Sequence, residues 1–254
     1  MYPILFRLDG LKIYAYGFFV ALGFIFGLVL AVRRTRKEGI PFERVVDLFF
    51  YTVFSAVLGS RALFVLIHID TYRQKPLQIF KFWEGGLVFY GGLLLAIGVT
   101  LGYMKRHRLP LWKWADLFSP SIALGLFFGR IGCFLAGCCY GKETSLPWGV
   151  VFNHPDSLAR LNVPLHPTQL YEAAGCLALF FFLRWKEKKK GIDGQVFWLF
   201  LLLYAILRFF VETVRDDPRG YLFQGLFSPS QGIGILVGIL SLFMLFYLRK
   251  KQRT

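Results

Sequence analysis

The sequence predicts an all-α polytopic membrane protein, a single integral-membrane domain over residues 1–254 with seven transmembrane helices. Of its 254 residues 56% are apolar and only 18% charged, against roughly 25% charged in an ordinary soluble domain. Long apolar runs recur along the whole chain with basic clusters between them. Seven spans of about 20 residues each use most of the length and leave no room for a large extramembrane domain. The formal net charge of +15 would suggest nucleic acid in a soluble protein, but basic loops between apolar runs are how membrane proteins fix their orientation. No nucleic-acid partner is expected.

The first span, 13–32, has an apolar stretch of about 20 residues and lacks a basic leader. Arg33-Arg34-Thr35-Arg36-Lys37 follows it as a stop-transfer flank would, so a retained helix rather than a signal peptide is expected. The remaining spans are 45–69, 86–104, 118–137, 166–184, 194–213 and 229–248. Connections after the odd-numbered spans hold eighteen basic residues, in clusters around Arg33–Arg44, Lys105–Lys113, Arg184–Lys190 and Arg249–Arg253. The opposite side holds nine: Arg7, Lys12, Arg73, Lys75, Lys81, Lys142, Arg160, Arg215 and Arg219. The positive-inside bias places the N-terminus outside and the C-terminus in the cytoplasm. Glycine pairs at helical spacing, Gly23 and Gly27, Gly98 and Gly102, Gly125 and Gly129, and Gly234 and Gly238, suit close helix packing.

Three arginines, Arg61, Arg130 and Arg208, fall inside spans two, four and six. An arginine in hydrocarbon costs about 2.5 to 3.5 kcal/mol on the most lenient scale, so three of them require a reason. At the helical rise they lie about 12, 10 and 8 Å below the outer ends of their spans. By the same measure Glu172 in span five lies about 9 Å deep and Tyr90 in span three about 6 Å. In the inner half, Asp47 and Asp116 stand close enough to the interface to cap helices or reach water.

In span six, Tyr204, Arg208, Glu212 and Arg215 follow one another at four, four and three residues, on one helix face. An Arg208–Glu212 pair could simply neutralise itself. Arg61 and Arg130, however, have no acidic neighbour at helical spacing, and arginines outnumber Glu172 and Glu212 in the layer. A surplus of guanidinium at this depth, in a fork suited to phosphate oxygens, points to an anionic lipid headgroup entering sideways from the bilayer. A voltage sensor would carry several regularly spaced arginines on one helix, which this chain lacks. An anion channel or transporter using the same arginines stays open.

The end of span four reads Gly129-Arg130-Ile131-Gly132-Cys133-Phe134-Leu135-Ala136-Gly137-Cys138-Cys139-Tyr140-Gly141, where glycines allow tight turns and close approach of a ligand to the main chain. Three of the four cysteines, Cys133, Cys138 and Cys139, cluster there, with Cys176 in span five. Zinc would favour a CxxC pair or an adjacent histidine, and neither is present, so apolar filler or an exterior disulfide is expected and no metal site. His166-Pro167-Thr168 opens span five; His166 and Thr168 read as groups that satisfy free backbone N–H at a helix start, with proline suited to the first turn. Tyr90 could be an interface anchor, yet Gly91 and Gly92 beside it would let a headgroup approach the backbone. No GxSG serine paired with an intramembrane histidine exists, against an intramembrane serine protease.

Taken in order, Ile13-Tyr14-Ala15-Tyr16-Gly17, Gly59-Ser60-Arg61, Trp83-Glu84-Gly85-Gly86 through Tyr90-Gly91-Gly92, Gly129-Arg130-Ile131-Gly132, His166-Pro167-Thr168-Gln169-Leu170-Tyr171-Glu172, Tyr204 through Arg208 to Glu212 and Arg215, and Ser230-Gln231-Gly232 resemble the bacterial prolipoprotein diacylglyceryl transferase family. The resemblance runs through all seven spans. It implies an enzyme of the bacterial inner (plasma) membrane, its site toward the outer leaflet, that moves diacylglycerol from phosphatidylglycerol to the lipobox cysteine of a prolipoprotein signal peptide. A thioether forms and glycerol phosphate leaves. It further implies that Arg130 binds the phosphatidylglycerol phosphate and that Arg208 is catalytic, with Tyr16, Arg61, Gly91, Gly92, Glu172, Tyr204 and Glu212 in support.

Two departures from the family pattern stand out. Tyr90 occupies the position where the family usually has a histidine, proposed as base. Cys133, Ala136 and Cys138 stand where it usually has asparagine, asparagine and glutamate. A tyrosine acts as a base only where positive charge lowers its pKa from about 10. The nucleophile belongs to the substrate, a thiol of pKa near 8.5 that a positive field makes more nucleophilic, so no cofactor is implied. A paralogous lipid transferase with another acceptor, and a purely structural scaffold, are the other readings.

Overall fold

The computed structural model describes residues 2–8, 11–74, 76–81, 85–216 and 228–253. Trp83, Glu84, Lys75 and Arg219, named above, lie outside the described residues. The described chain runs β1 (Ile4–Leu8), β2 (Leu11–Tyr14), α1 (Ala15–Lys37), α2 (Phe42–Ile67), α3 (Ile69–Gln74), a 3-10 turn at Pro76–Phe80, α4 (Phe89–Arg106), α5 (Leu111–Ala136), β3 (Val150–Val151), β4 (Pro164–Leu165), α6 (Thr168–Glu187), α7 (Gln195–Thr213) and α8 (Pro229–Arg253). Each apolar run expected from the sequence is largely helical, leucine and alanine being good helix formers, although α5 carries Pro120 inside it and the second run breaks at His68. Five of these helices, α1, α2, α5, α7 and α8, are long and apolar enough to cross a membrane. The other two, α4 and α6, fall short on length or apolarity: α4 has only 18 residues and ends in Lys105-Arg106, and α6 carries Glu172 and ends in Arg184, Lys186 and Glu187. Large apolar side chains such as Phe54, Leu94, Phe210, Leu236 and Phe243 point outward, as lipid-facing residues would.

The chain divides into two compact units, residues 1–30 with 115–254, and residues 31–114. In the first unit α5, α6 and α7 share a core of Ala123, Leu179, Leu183, Val196 and Phe200. The α1 helix crosses α5 where Gly23 faces the Gly125 carbonyl, a Cβ on Gly23 standing 3.0 Å from that oxygen. Phe26 stacks on Phe128 beside it, with centroids 5.0 Å apart. At the far end of α5, Asp116 accepts hydrogen bonds from the backbone N–H of Gly194 at 2.8 Å and of Phe197 at 2.9 Å, capping α7. Lys190 adds an ion pair at 3.5 Å. The capping role read for Asp116 in the sequence is therefore the one it plays.

Four short strands were not expected from an all-helical reading. They arise in the segments outside the apolar runs: β1 and β2 form an antiparallel hairpin, and β3 pairs antiparallel with β4 inside the 137–167 segment. That segment folds over its own small core of Phe152, Ala159 and Leu165. Backbone bonds tie it to the end of α7, with Lys142 N donating to the Val214 carbonyl at 2.8 Å and Asp216 N to the Tyr140 carbonyl at 3.3 Å. Arg160 ion-pairs with Glu143 and Asp216.

In the second unit α2 and α4 pack at backbone distance. A Cβ on Gly59 would collide with the Gly91 carbonyl, one on Gly91 with the Gly59 carbonyl, and one on Gly92 with Ser60 and the Ala56 carbonyl. Gly91 and Gly92 are thus used by a neighbouring helix, which corrects the expectation that they leave room for a headgroup. Gly98 and Gly102, expected to make such a contact, have nothing within 4 Å among the described residues. The small side chain matters where two backbones meet, and spacing alone does not say where that is.

Candidate active site

In the first unit the polar residues of three helices converge on Glu172, one turn into α6 and 1% exposed. Arg130 of α5 places Nη2 at 2.9 Å from Glu172 Oε1. Arg208 of α7 reaches Oε2 of the same carboxylate through Nη1 at 3.4 Å. Tyr204, one turn before Arg208, donates its hydroxyl to Oε1 at 2.9 Å. On the other side Arg208 Nη2 meets Glu212 Oε2 at 2.7 Å, an ion pair whose angles fall outside hydrogen-bond geometry.

The i, i+4 spacing of Tyr204, Arg208 and Glu212 stacks them on one face of α7, as the sequence indicated. Arg130, Glu172 and Arg208 come from different helices and meet because each lies the same short distance from the end of its helix. Arg130 has no acidic neighbour at helical spacing on α5, as read from the sequence; its partner Glu172 is on α6, where spacing within one helix cannot reveal it. Two arginines here face two glutamates, so the cluster is balanced in formal charge. A buried carboxylate shared by two guanidiniums holds both forks at fixed positions, since any movement would leave a desolvated charge unpaired. Each guanidinium carries five N–H donors, more than these glutamate contacts use, and the Arg130 and Arg208 side chains retain 18% and 11% exposure. Those N–H donors suit a tetrahedral oxyanion.

Tyr16 stands in the first turn of α1, and its backbone meets α5 at Gly132, where a Cβ would lie 3.2 Å from Tyr16 Cα. Its hydroxyl is an electrostatic neighbour of Arg130 and of Cys133, Cys138 and Cys139. Arg215 is buried just past the end of α7, its backbone bridged to Gly141.

Arg61, Tyr90, Gly91 and Gly92 belong to the second unit. Arg61 is 4% exposed and spends its donors on main-chain carbonyls: Nε to Ile79 at 2.9 Å, Nη1 to Gly85 at 2.7 Å, and Nη2 to Gln78 at 2.6 Å. Its guanidinium also lies over the Phe64 and Tyr72 rings. In this unit it secures the segment after α3 rather than adding to a surplus of open guanidinium. Tyr90, in the first turn of α4, is half exposed and packs edge-on against Phe89.

Two residues carry more than the sequence suggested. Thr168 does not cap α6; its Oγ1 donates to the Cys139 carbonyl at 2.6 Å, and Gln169 Nε2 donates to the Cys138 carbonyl at 2.8 Å. Both side chains are 1% exposed. They hold the turn after α5, in which Gly137 (φ 80°) and Cys139 (φ 63°) adopt left-handed backbone. The turn brings the thiols of Cys133, Cys138 and Cys139, none of them in a disulfide, within 4.8 Å of one another, the one group of three metal-type donors found among the described residues. The missing CxxC spacing concealed this. His166 Nδ1 lies 3.1 Å from the Tyr171 hydroxyl and 64° edge-on to its ring.

Similarity to known proteins runs along nearly the whole chain. The family model described as prolipoprotein diacylglyceryl transferase matches residues 3–247. Over 245 residues the chain is 40% identical to a phosphatidylglycerol–prolipoprotein diacylglyceryl transferase of Clostridium tetani, covering 96% of each chain. It is 39% identical to a second such enzyme of Clostridium perfringens, over 99% of this chain and 98% of the relative. A Vibrio atlanticus relative of the same name is 37% identical over 98% of this chain and 91% of its own. The protein belongs to the prolipoprotein diacylglyceryl transferase family.

Proposed function

We propose that the protein transfers the diacylglyceryl group of phosphatidylglycerol to the lipobox cysteine thiol of a prolipoprotein. The observation that carries this is the meeting of Arg130 and Arg208 at Glu172 in a chain matched to the family from residue 3 to residue 247. The N–H donors of the two forks that Glu172 and Glu212 leave over bind the lipid phosphate. The lipobox thiolate attacks the glycerol carbon that bears the phosphate ester. The carbon–sulfur bond forms as the carbon–oxygen bond breaks, and glycerol phosphate leaves with the electron pair. The negative charge gathering on the departing phosphate is what the guanidiniums stabilise, and donors already held by Glu172 and Glu212 need no reorganisation to do it. Tyr204 and Glu172 position these forks. For the thiol proton, the family's base position holds Tyr90 in this chain in place of the usual histidine.

The seven long helices span the inner membrane with the N-terminus outside, as the eighteen-to-nine division of basic residues supports. The Arg130–Glu172–Arg208 cluster then lies toward the outer leaflet, where a lipid and a tethered signal peptide both have access.

The test is incubation of purified protein with phosphatidylglycerol and a lipobox peptide. A thioether-linked diacylglyceryl peptide together with released glycerol phosphate is expected. Movement of phosphatidylglycerol between leaflets of a vesicle with no product would replace this reading by lipid transport.

A further inference from the structure

The transfer chemistry gives no task to the three thiols gathered beside Arg130. Cys133 stands one turn after Arg130 on the last turn of α5 and is 7% exposed. The chain then reverses at Gly137, where a Cβ would collide with Ser157 and lie 3.0 Å from the backbone nitrogen of Ala159, so only glycine fits. Cys139 holds a positive φ that L residues rarely adopt. The buried Thr168 and Gln169 side chains fix the two cysteine carbonyls from the first turn of α6. A turn that needs a glycine, a left-handed cysteine and two buried side-chain bonds serves to place these thiols together.

We propose that Cys133, Cys138 and Cys139 form a three-thiolate site for one soft divalent cation of the zinc class. Thiolates bound tetrahedrally at about 2.3 Å from zinc lie about 3.8 Å apart, and the three sulfurs here already fall within 4.8 Å. A disulfide would bring two of them to about 2.05 Å and leave the third without a role, which does not explain why all three converge. Three thiolates and a divalent cation carry one net negative charge. Arg215, an electrostatic neighbour of Cys139, balances it. The fourth coordination position is open to water, the arrangement of a metal held by three protein ligands. Cys176, buried on α6, lies outside the group. The site depends only on this turn and not on the transfer reading, and metal binding is measured separately from activity.

Full-length protein, purified in detergent under anaerobic reducing conditions and stripped with chelator, is titrated with Co2+ as a spectroscopic substitute for zinc. One equivalent per chain should bind with a thiolate-to-cobalt band in the near ultraviolet, and Zn2+ should bleach it. Since outer partners of a metal site alone contribute about 10- to 100-fold in affinity, Cys133→Ser, Cys138→Ser and Cys139→Ser should each weaken binding by more than about 100-fold, while Cys176→Ser leaves it unchanged. Zn2+ should also raise the melting temperature of the unsubstituted protein, a reading that does not depend on the variants folding. Absence of the band with all three thiols free, its persistence in the serine variants, a disulfide that resists reduction, or a melting temperature unmoved by Zn2+ overturns the proposal.

Discussion

Glu172 takes Arg130 from α5 at 2.9 Å, and through its other oxygen it also holds Arg208 of α7. A single buried acid therefore sets the separation of two cations on different helices. Its loss should be expensive, because two desolvated guanidiniums would be left to share Glu212. Breaking a buried pair costs about 3 to 5 kcal/mol, and Glu172→Leu should lower the melting temperature in detergent accordingly. Glu172→Gln, which still accepts from Tyr204, should fall between. Combined with Arg130→Met, Glu172→Gln should be less than additive; strict additivity would mean that the pair is uncoupled.

Arg130→Lys and Arg208→Lys keep the charge and discard the fork. If the forks bind the phosphate as proposed, each substitution should reduce thioether formation by about 100- to 1,000-fold, as removal of a charge-stabilising donor does. Both proteins should stay folded. Near-normal product from either variant would show that a point charge suffices.

The glycines of α4 offer an internal contrast. Gly91→Ala forces a methyl into the Gly59 carbonyl and to within 2.5 Å of Leu63 Cβ, and overpacking of this kind costs about 1 to 3 kcal/mol. Gly98→Ala, with open space around it, should gain about 0.5 to 1 kcal/mol from helix propensity. Thermal denaturation of the two variants separates packing from propensity, and equal shifts would contradict the α2–α4 contact.

Asp116→Ala should remove the cap of α7 and cost about 0.5 to 2 kcal/mol, with Asp116→Asn milder. Hydrogen exchange at Gly194 and Phe197, whose N–H groups it holds, should accelerate selectively in the alanine variant.

Tyr90→Phe removes one hydroxyl from a half-exposed position and should leave melting unchanged. A large loss of transfer would assign the proton acceptor to Tyr90; unchanged transfer would place that step on another group.

Hydropathy was enough to locate every long helix to within several residues, since apolar runs and basic flanks are properties of the chain itself. The level of Arg130, Glu172 and Arg208 was also legible, because helical rise converts sequence position into depth. Their mutual pairing was not, as it depends on which helix lies beside which. Arg61 read as another open cation until the segment folded over it supplied carbonyls. The sequence set the three cysteines near one another but not their thiols in contact range: spacing rules assume ordinary turns, and here left-handed residues at 137 and 139 bring the thiols together.

The α5 and α7 helices are fastened at both extremities, by Asp116 at the start of each and through Glu172 near the finish. Two such clasps forbid one rod from sliding or swivelling against the other. If the lipid enters sideways between helices, its doorway lies along some other seam of the bundle, with this braced couple as the stationary jamb.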